Sequence, residues 1–239
     1  MKKRAFTLAE VLITLGIIGI VAALTMPTLI SLYQKKIVET RLAHTYSLIS
    51  QALKMAENDY GDSQYWMRDA AGPYEDNNDL HNVMNTFFQT YLLPYLKVSD
   101  YHLLDGYGLT KYGYDVRSIP NLQINSIMRL NNGVFLFGNV NIGRQGVVSV
   151  RILVDINGPK SPNVLGRDVY EMLFSLYDGI LFMAGERQIT GYGLTYDKII
   201  KYDDIYERCK IGGNTGLREC GALIKQNGWK IPKDYPYRI

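Results

Sequence analysis

The best candidate for a site that does chemistry is the segment of residues 154–168, which reads VDINGPKSPNVLGRD. Asp155, Asn157 and Asp168 carry the oxygen ligands that hard cations such as Ca²⁺ require. The spacing is not that of an EF-hand, because a third alternating donor and a glutamate at the twelfth position are missing. The competing interpretation is a rigid turn, in which the Asp and Asn side chains bond to the backbone and the two glycines adopt positive φ. The sequence favours the turn and keeps Ca²⁺ as the one candidate cofactor.

No catalytic constellation is found in the sequence. His44 and His81 fall on two different predicted helices and His102 in a predicted loop, too scattered for a metal site. The motifs GxxxxGK[ST], GxSxG and HExxH are absent. An enzyme is therefore not expected.

Two cysteines, Cys209 and Cys220, lie close together near the C-terminal end of the sequence. In an oxidising compartment they would form a disulfide, whose short loop would stabilise the fold by roughly 3 kcal/mol. Two unpaired thiols are the alternative. A metal site is not expected, because no histidine or further cysteine lies nearby.

The pentapeptide GYGLT occurs twice, at residues 106–110 and 191–195. If both copies are exposed, they could form twin aromatic surfaces for a glycan or a neighbouring subunit. Coincidence is the favoured interpretation, because the chain contains 19 Tyr and 22 Gly.

The first 34 residues, MKKRAFTLAEVLITLGIIGIVAALTMPTLISLYQ, place three cations before a long apolar run. Residues 11–34 carry no charge and are long enough to span a bilayer as a helix. Glu10 is the one carboxylate in this run, and inserting it costs at most about 3 kcal/mol on insertion scales. A carboxylate retained at such a position usually has a partner.

This N-terminus resembles that of type IV prepilins and of the pseudopilins of type II secretion. In that family a short basic leader is cut before an N-methylated Phe, and the fifth mature residue is Glu. The resemblance implies a leader of residues 1–5, cleavage between Ala5 and Phe6, N-methylation of Phe6, and Glu10 as the fifth mature residue. Ala5 departs from the Gly that the family prefers, and Ala9 from the commoner Ile or Val. Processing is expected to survive because Ala is small.

A cleaved secretory signal, cut near residues 21–23, and a plain signal anchor are the alternatives. A signal normally lacks a carboxylate, and a plain anchor gives no reason for Glu10. The leader cations hold the N-terminus in the cytoplasm, although Lys35 and Lys36 weaken that preference. We therefore expect a single-pass protein of the bacterial inner membrane, with its domain periplasmic or extracellular, and in a cell-surface filament after assembly.

The formal net charge of +3 comes entirely from Lys2, Lys3 and Arg4, so removal of the leader leaves a net charge of zero. A neutral mature chain argues weakly against nucleic-acid binding.

One helix over residues 6–60 is predicted, with residues 6–34 transmembrane and residues 35–60 forming an amphipathic spine that ends at the sequence Asn-Asp-Tyr-Gly. The apolar face of the spine comprises Val38, Leu42, Thr45, Ile49, Leu53 and Ala56. A second helix, whose aromatic stripe is interpreted as core packing, is predicted between Asn78 and Pro94, where it ends.

A sheet of about four or five strands follows in the predicted globular domain, residues 61–239, which gives a pilin-like α+β fold. Its elements are strands at 126–131 and 134–142 joined by an Asn-Gly turn, 147–156, and 169–177 and 180–183 joined by an Asp-Gly turn, then a helix at 217–226. Segment 154–168 and the cysteine loop also resemble features of pilin-like proteins.

The resemblance implies a structural pilin or pseudopilin subunit of a type IV pilus-like or type II secretion filament. Its partners would be further copies, other pilin-like subunits, prepilin peptidase, an inner-membrane assembly platform and lipid, with no nucleic acid expected. The Glu10 carboxylate would bind the N-terminal amine of Phe6 on an adjacent subunit. A membrane-tethered or filament-tip binding module, adhesin-like and not a bulk subunit, is the alternative.

Overall fold

A helix of 53 residues, α1 (Leu8–Tyr60), opens the fold of the computed structural model. The structure describes residues 7–67, 77–103, 126–143, 146–190, 195–211, 213–237 and 239. Helix α1 continues through Pro27 and ends at Tyr60, and the next residue, Gly61, has a φ of 80° that favours glycine. The prediction of one continuous helix is confirmed over the described residues.

The two halves of α1 have different surroundings. All six predicted apolar positions of the spine, together with Ala52, are buried. Large apolar side chains between Leu8 and Leu32 are exposed all around the helix. This first half is the candidate membrane span that length and composition identify in the described part of the chain.

The second helix is less regular than predicted. Helix α2 (Asn77–Phe87) continues as a π-helical turn at Phe88–Leu92 and a 3₁₀ turn at Leu93–Tyr95, so helical backbone passes Pro94 by one residue. Val83, Met84, Phe87, Phe88 and Leu92 are buried, which confirms core packing. The Tyr91 ring stacks on Trp66, with centroids 4.2 Å apart.

Six antiparallel strands form the main sheet, in which spatial order equals chain order. The predicted strand count was too low. Strand β1 (Val98–Leu103) is not among the predicted strands, and His102 lies in it and not in a loop. A separate two-stranded sheet of β7 (Arg187–Thr190) and β8 (Thr195–Ile199) is not predicted either. The strands are β1 (Val98–Leu103), β2 (Ser126–Leu130), β3 (Phe135–Gly143), β4 (Gly146–Asp155), β5 (Val169–Ser175), β6 (Ile180–Met183), β7 (Arg187–Thr190) and β8 (Thr195–Ile199).

The main sheet packs its inner face against α1 and α2. Met128, Leu136, Ile152 and Met172 belong to the same buried cluster as Leu42 of α1. Strand β3 approaches the π-helical turn so closely that a Cβ on Gly138 would lie 2.1 Å from Cε2 of Phe88. Strand residues of the other face form a second cluster together with Leu165, which lies between β4 and β5; its members are Ile127, Phe137, Leu153, Leu165 and Val169.

Two helices end the fold: α3 (Tyr202–Ile211), which was not predicted, and α4 (Gly213–Gln226), which begins earlier than predicted. Gly228 has a φ of 67°, consistent with the predicted Asn-Gly helix end. The Cys209–Cys220 disulfide joins the two helices, and the predicted pairing is confirmed. The architecture is α+β, as predicted.

Candidate functional site

Glu10 caps the N-terminus of α1 together with Thr7. The Oε2 atom of Glu10 accepts hydrogen bonds from the Thr7 backbone N–H at 2.8 Å and the Thr7 hydroxyl at 2.9 Å. The Glu10 N–H lies 3.2 Å from Thr7 Oγ1, which completes a capping box. A carboxylate in the first turn also lies at the favourable end of the helix dipole.

The second oxygen of the Glu10 carboxylate, Oε1, has no hydrogen-bond partner among the described residues. The side chain is exposed. Glu10 can therefore keep its own helix capped through Oε2 and still bind a cation from outside through Oε1. Ala5 and Phe6, the predicted cleavage and methylation residues, lie outside the described residues.

Asp155 folds the start of segment 154–168 into a turn between β4 and β5. Its Oδ1 atom accepts hydrogen bonds from the backbone N–H groups of Asn157 and Gly158, both at 3.0 Å. Gly158 has a φ of 70°, a conformation that other residues rarely adopt. These bonds are those of the predicted rigid turn.

Asp168 closes the same turn from its other end. Its oxygens accept hydrogen bonds from the backbone N–H of Asn163 at 2.8 Å, from that of Val164 at 2.7 Å, and from Nδ2 of Asn157 at 3.2 Å. Gly166 has a φ of 79°. Asp155 and Asp168 are almost wholly buried, so these hydrogen bonds replace the water that each carboxylate would lose.

Asn157 joins the two halves of the turn, and its Oδ1 atom is buried without a hydrogen-bond partner among the described residues. The three predicted Ca²⁺ ligands therefore belong to one turn, but N–H donors occupy oxygens of both carboxylates. No group of three His, Cys, Asp or Glu side chains that could hold a metal occurs in the described ranges. Calcium binding stays a prediction.

The chain after α4, here called the tail (residues 229–237), fastens the C-terminal helices to α1 and to the turn. The Tyr237 hydroxyl donates to the carbonyl oxygen of Cys209 at 2.8 Å, and the Tyr235 hydroxyl donates to that of Gly166. Burial raises the pKa of Tyr235 well above its usual value, so the hydroxyl remains a donor at neutral pH.

Glu39 binds the tail to α1. Its Oε1 atom accepts from the Ile231 N–H at 3.1 Å, and its Oε2 atom lies 3.1 Å from Nζ of Lys230. Glu39 is thereby joined to residues that follow it in the sequence by 191 and 192 positions. The sequence did not predict this contact, because no local pattern distinguishes a glutamate that binds a distant segment from any other glutamate on a helix.

A second contact between α1 and the C-terminal helices surrounds Lys225. Its ammonium lies 2.7 Å from Oε2 of Glu186 and 2.9 Å from the Tyr46 hydroxyl. The same Glu186 oxygen accepts from the backbone N–H of Met183 at 2.7 Å. Helix α4, strand β6 and α1 therefore meet at one hydrogen-bonded corner that the sequence did not predict.

Glu171 of β5 is the most buried carboxylate of an ion-pair cluster on the outer face of the sheet. It lies 2.9 Å from Nε of Arg151 and 3.6 Å from Nε of Arg218. Burial raises the pKa of Glu171, and the two arginines only partly oppose that shift. The cluster joins β4, β5 and α4, which indicates a structural role.

The GYGLT copies do not provide a described site. Residues 106–110 and 191–194 lie outside the described residues, and Thr195 begins β8.

Comparison with known proteins gives two matches to family models. Residues 1–26 match the prokaryotic N-terminal methylation motif, which indicates a type IV prepilin-like protein and a substrate of prepilin peptidase. Residues 28–239 match a family of unknown function, DUF6613. No curated protein and no solved structure matches the chain. The motif and the apolar half of α1 support an inner-membrane anchor. From its spine helix to the tail, the chain belongs to the family of unknown function DUF6613, carried behind a prepilin-type N-terminus.

Proposed function

We propose that the chain is a structural subunit of a type IV pilus-like or type II secretion filament. The methylation motif at residues 1–26 carries this proposal, because it begins a helix whose apolar residues are exposed on every side. The proposal assigns the chain no catalytic activity and no cofactor, and Ca²⁺ remains a candidate at the turn of residues 154–168.

The first half of α1 would serve in two environments. Before assembly it spans the inner membrane with its N-terminus in the cytoplasm and the domain outside. In the filament the same apolar surface would pack against the helices of neighbouring subunits. A helix that is apolar all round suits both environments, because each surrounds it with apolar material.

Glu10 would fix the register between neighbouring helices. After cleavage, Phe6 carries a free amine, and the Oε1 atom of Glu10 on an adjacent subunit is available to bind it. A carboxylate left unpaired among apolar helices is costly, so a helix displaced along the filament axis would be rejected. The capping bonds to Thr7 hold the carboxylate in place while it waits for this partner.

The test is Glu10→Gln in a strain that depends on this chain for its filaments, with Glu39→Gln as the matched control. Glu39 is also a carboxylate on α1, but it binds the tail of its own chain. We expect Glu10→Gln protein in normal amounts in the membrane and none in filaments sheared from the cell surface. Glu39→Gln protein should still assemble. Normal filaments from Glu10→Gln would overturn the role of Glu10.

Processing is tested separately by the mass of the N-terminal peptide of the membrane-extracted protein. We expect a chain that begins at N-methylated Phe6 despite Ala5. A chain that keeps Met1 would contradict processing and favour a plain membrane anchor.

A binding module at a filament tip is the second candidate, and one observation favours it. Tyr60, Tyr65 and Tyr177 expose more than half of their surface at the end of α1 remote from the membrane span. A hydrogen bond of 2.9 Å from Ser63 to the carbonyl oxygen of Leu176 holds the two segments that carry them together. Abundance in sheared filaments separates the candidates, because a bulk subunit is plentiful there and a tip module is scarce.

A further inference from the structure

A cavity of about 290 Å³ lies between α1 and the end of the domain that faces the membrane span. Pro27, Ile30, Ser31 and Gln34 form its α1 wall and Arg167 contributes to the opposite wall, next to Ile239. The four α1 residues recur at helical spacing and continue towards Val38, so the cavity lies on the helix face that the domain covers further along. The domain therefore overhangs this part of α1 without filling the space beneath it.

The cavity lies at the expected outer boundary of the bilayer. Helix α1 begins at Leu8, and about 20 residues at about 1.5 Å per residue cross a hydrocarbon core of about 30 Å. On this estimate the hydrocarbon core is crossed before residue 34, the end of the predicted transmembrane segment, and the two turns from Pro27 to Gln34 emerge at the level of the lipid headgroups. This step rests on the membrane anchor in the proposed function and does not depend on filament assembly.

Arg167 lines the cavity as a partly exposed cation; its Nε atom has no hydrogen-bond partner among the described residues but is itself buried, so a ligand would meet the rest of the guanidinium. The backbone of Arg167 is fixed, since its N–H donates to the Val164 carbonyl at 3.0 Å and its carbonyl accepts from the Tyr170 hydroxyl at 2.8 Å. The adjacent carboxylate, Asp168, is occupied by backbone N–H groups. A guanidinium held in this way is suited to a phosphate oxygen.

The chemistry of the walls matches a phospholipid. Pro27 and Ile30 offer apolar contact below Arg167, and the Ser31 and Gln34 side chains add polar groups at the upper edge. The described lining residues include no acidic side chain, and the carboxyl group of Ile239 in the wall accepts a hydrogen bond from the Ser31 hydroxyl at 3.5 Å. Lys35 lies one helical turn after Ser31 on the same face, and Lys36 and Lys230 lie above it, with Glu39 as the carboxylate between them. This excess of positive charge favours an anionic lipid.

We propose that this cavity binds the headgroup of an anionic phospholipid of the outer leaflet, with Arg167 on its phosphate and the acyl chain along Ile30. Such a lipid would hold the domain against the membrane surface before assembly. Withdrawal of α1 from the bilayer would then require its release.

Native mass spectrometry of the detergent-solubilised full chain tests the proposal, with phosphatidylglycerol, phosphatidylcholine and glycerol phosphate as probes. We expect retention of one phosphatidylglycerol, weaker retention of phosphatidylcholine, and no displacement by glycerol phosphate. Arg167→Gln should weaken phosphatidylglycerol binding by at least about tenfold, the effect of losing a charged hydrogen bond. Arg129→Gln is the matched control, because Arg129 is an exposed arginine of β2 outside the cavity.

Ile30→Trp is a second variant that fills the cavity without changing its charge. Because Ile30 is largely exposed, the variant should fold normally and lose the lipid. Equal phosphatidylglycerol binding by wild type and Arg167→Gln, or by wild type and Ile30→Trp, would overturn the proposal. Displacement of bound phosphatidylglycerol by glycerol phosphate would show that the cavity binds a free phosphate as well, and would overturn the assignment to a lipid. Since none of these measurements involves filaments, failure here is distinguishable from failure of the proposed function.

Discussion

The two halves of α1 form one continuous helix, yet their apolar side chains have opposite surroundings. Leu29 in the first half is 69% exposed, whereas Leu42 in the second half is fully buried. The spine half has apolar residues on one face, and its own domain covers that face. The membrane half is exposed along most of its length, and within the described chain the domain reaches only its last turns, where the Ser31 hydroxyl donates to the Ile239 carbonyl oxygen at 3.5 Å. The spine is therefore stabilised by its own domain, whereas the first half needs apolar surroundings from outside the described chain, which the membrane and, in the proposed filament, neighbouring subunits would provide.

The largest expected difference between the halves is in the cost of removing a leucine. Leu42→Ala should lower the free energy of unfolding by about 2–5 kcal/mol, because it leaves a cavity in the core. Leu29→Ala should leave the unfolding of the domain unchanged, since the Leu29 side chain is 69% exposed. Denaturant unfolding of the full chain in detergent, followed by tryptophan fluorescence, measures both. Equal losses would contradict the different surroundings of Leu42 and Leu29.

The disulfide should stabilise only the spine half and its domain. Replacing both Cys209 and Cys220 by Ser should cost about 3 kcal/mol, as expected for a short closed loop. The same variant should insert into membranes as well as the wild type does. The disulfide joins α3 and α4, and neither helix belongs to the membrane half of α1. Denaturant unfolding with and without reductant, alongside membrane fractionation, tests this. A failure of membrane insertion would contradict the division of α1.

Loss of the tail contact should be a smaller, local effect at the boundary between the halves. Glu39→Ala removes the acceptor of the Ile231 N–H. Hydrogen exchange at Ile231 should accelerate by up to about tenfold, corresponding to a hydrogen bond of about 1 kcal/mol. Amides in α1 before residue 34 should be unaffected in the same experiment. Acceleration spread along the membrane half would mean that the tail also supports that half.

The smallest effect concerns pH. Burial raises the pKa of Glu171 in the folded state above the usual value of 4.5. The folded state therefore binds the proton more tightly, and the contribution of Glu171 to stability is present below pH 4.5 and is lost as the pH rises through its folded pKa. In the Glu171→Gln variant, the free energy of unfolding should fall less steeply as the pH rises from 4.5 through the folded-state pKa of Glu171. Thermal unfolding across the pH range measures the slope, which should be unchanged in Leu29→Ala, a substitution in the membrane half.

The sequence predicted the elements whose signals are local and strong. The spacing of Val38, Leu42 and Ile49 identified the buried face of α1, and the turn at Asn132-Gly133 located the hairpin of β2 and β3. Asp155 and Asp168 were correctly placed in one turn, because glycines and Asx side chains specify such backbone.

The elements that the sequence did not predict depend on distant partners. Strand β1 has mostly exposed side chains and is defined by its pairing with β2, 30 residues away at Ser99 and Arg129. Helix α3 is short and polar, and its position depends on the disulfide to α4. The cavity at Arg167 arises from the meeting of α1 and a loop more than 130 positions later, which no local pattern encodes.

The order of β1 to β6 along the chain equals their order across the sheet. In the proposed topology, with the domain outside the inner membrane, this order has a consequence for export. Each strand can pair with the preceding one as it leaves the translocation channel, since contacts between segments close in sequence form rapidly. The bond between Ile231 and Glu39 must wait until residue 231 has emerged. During secretion the spine would therefore acquire its tail last, and the interval before that closure is when the newly exported chain is most open to proteases.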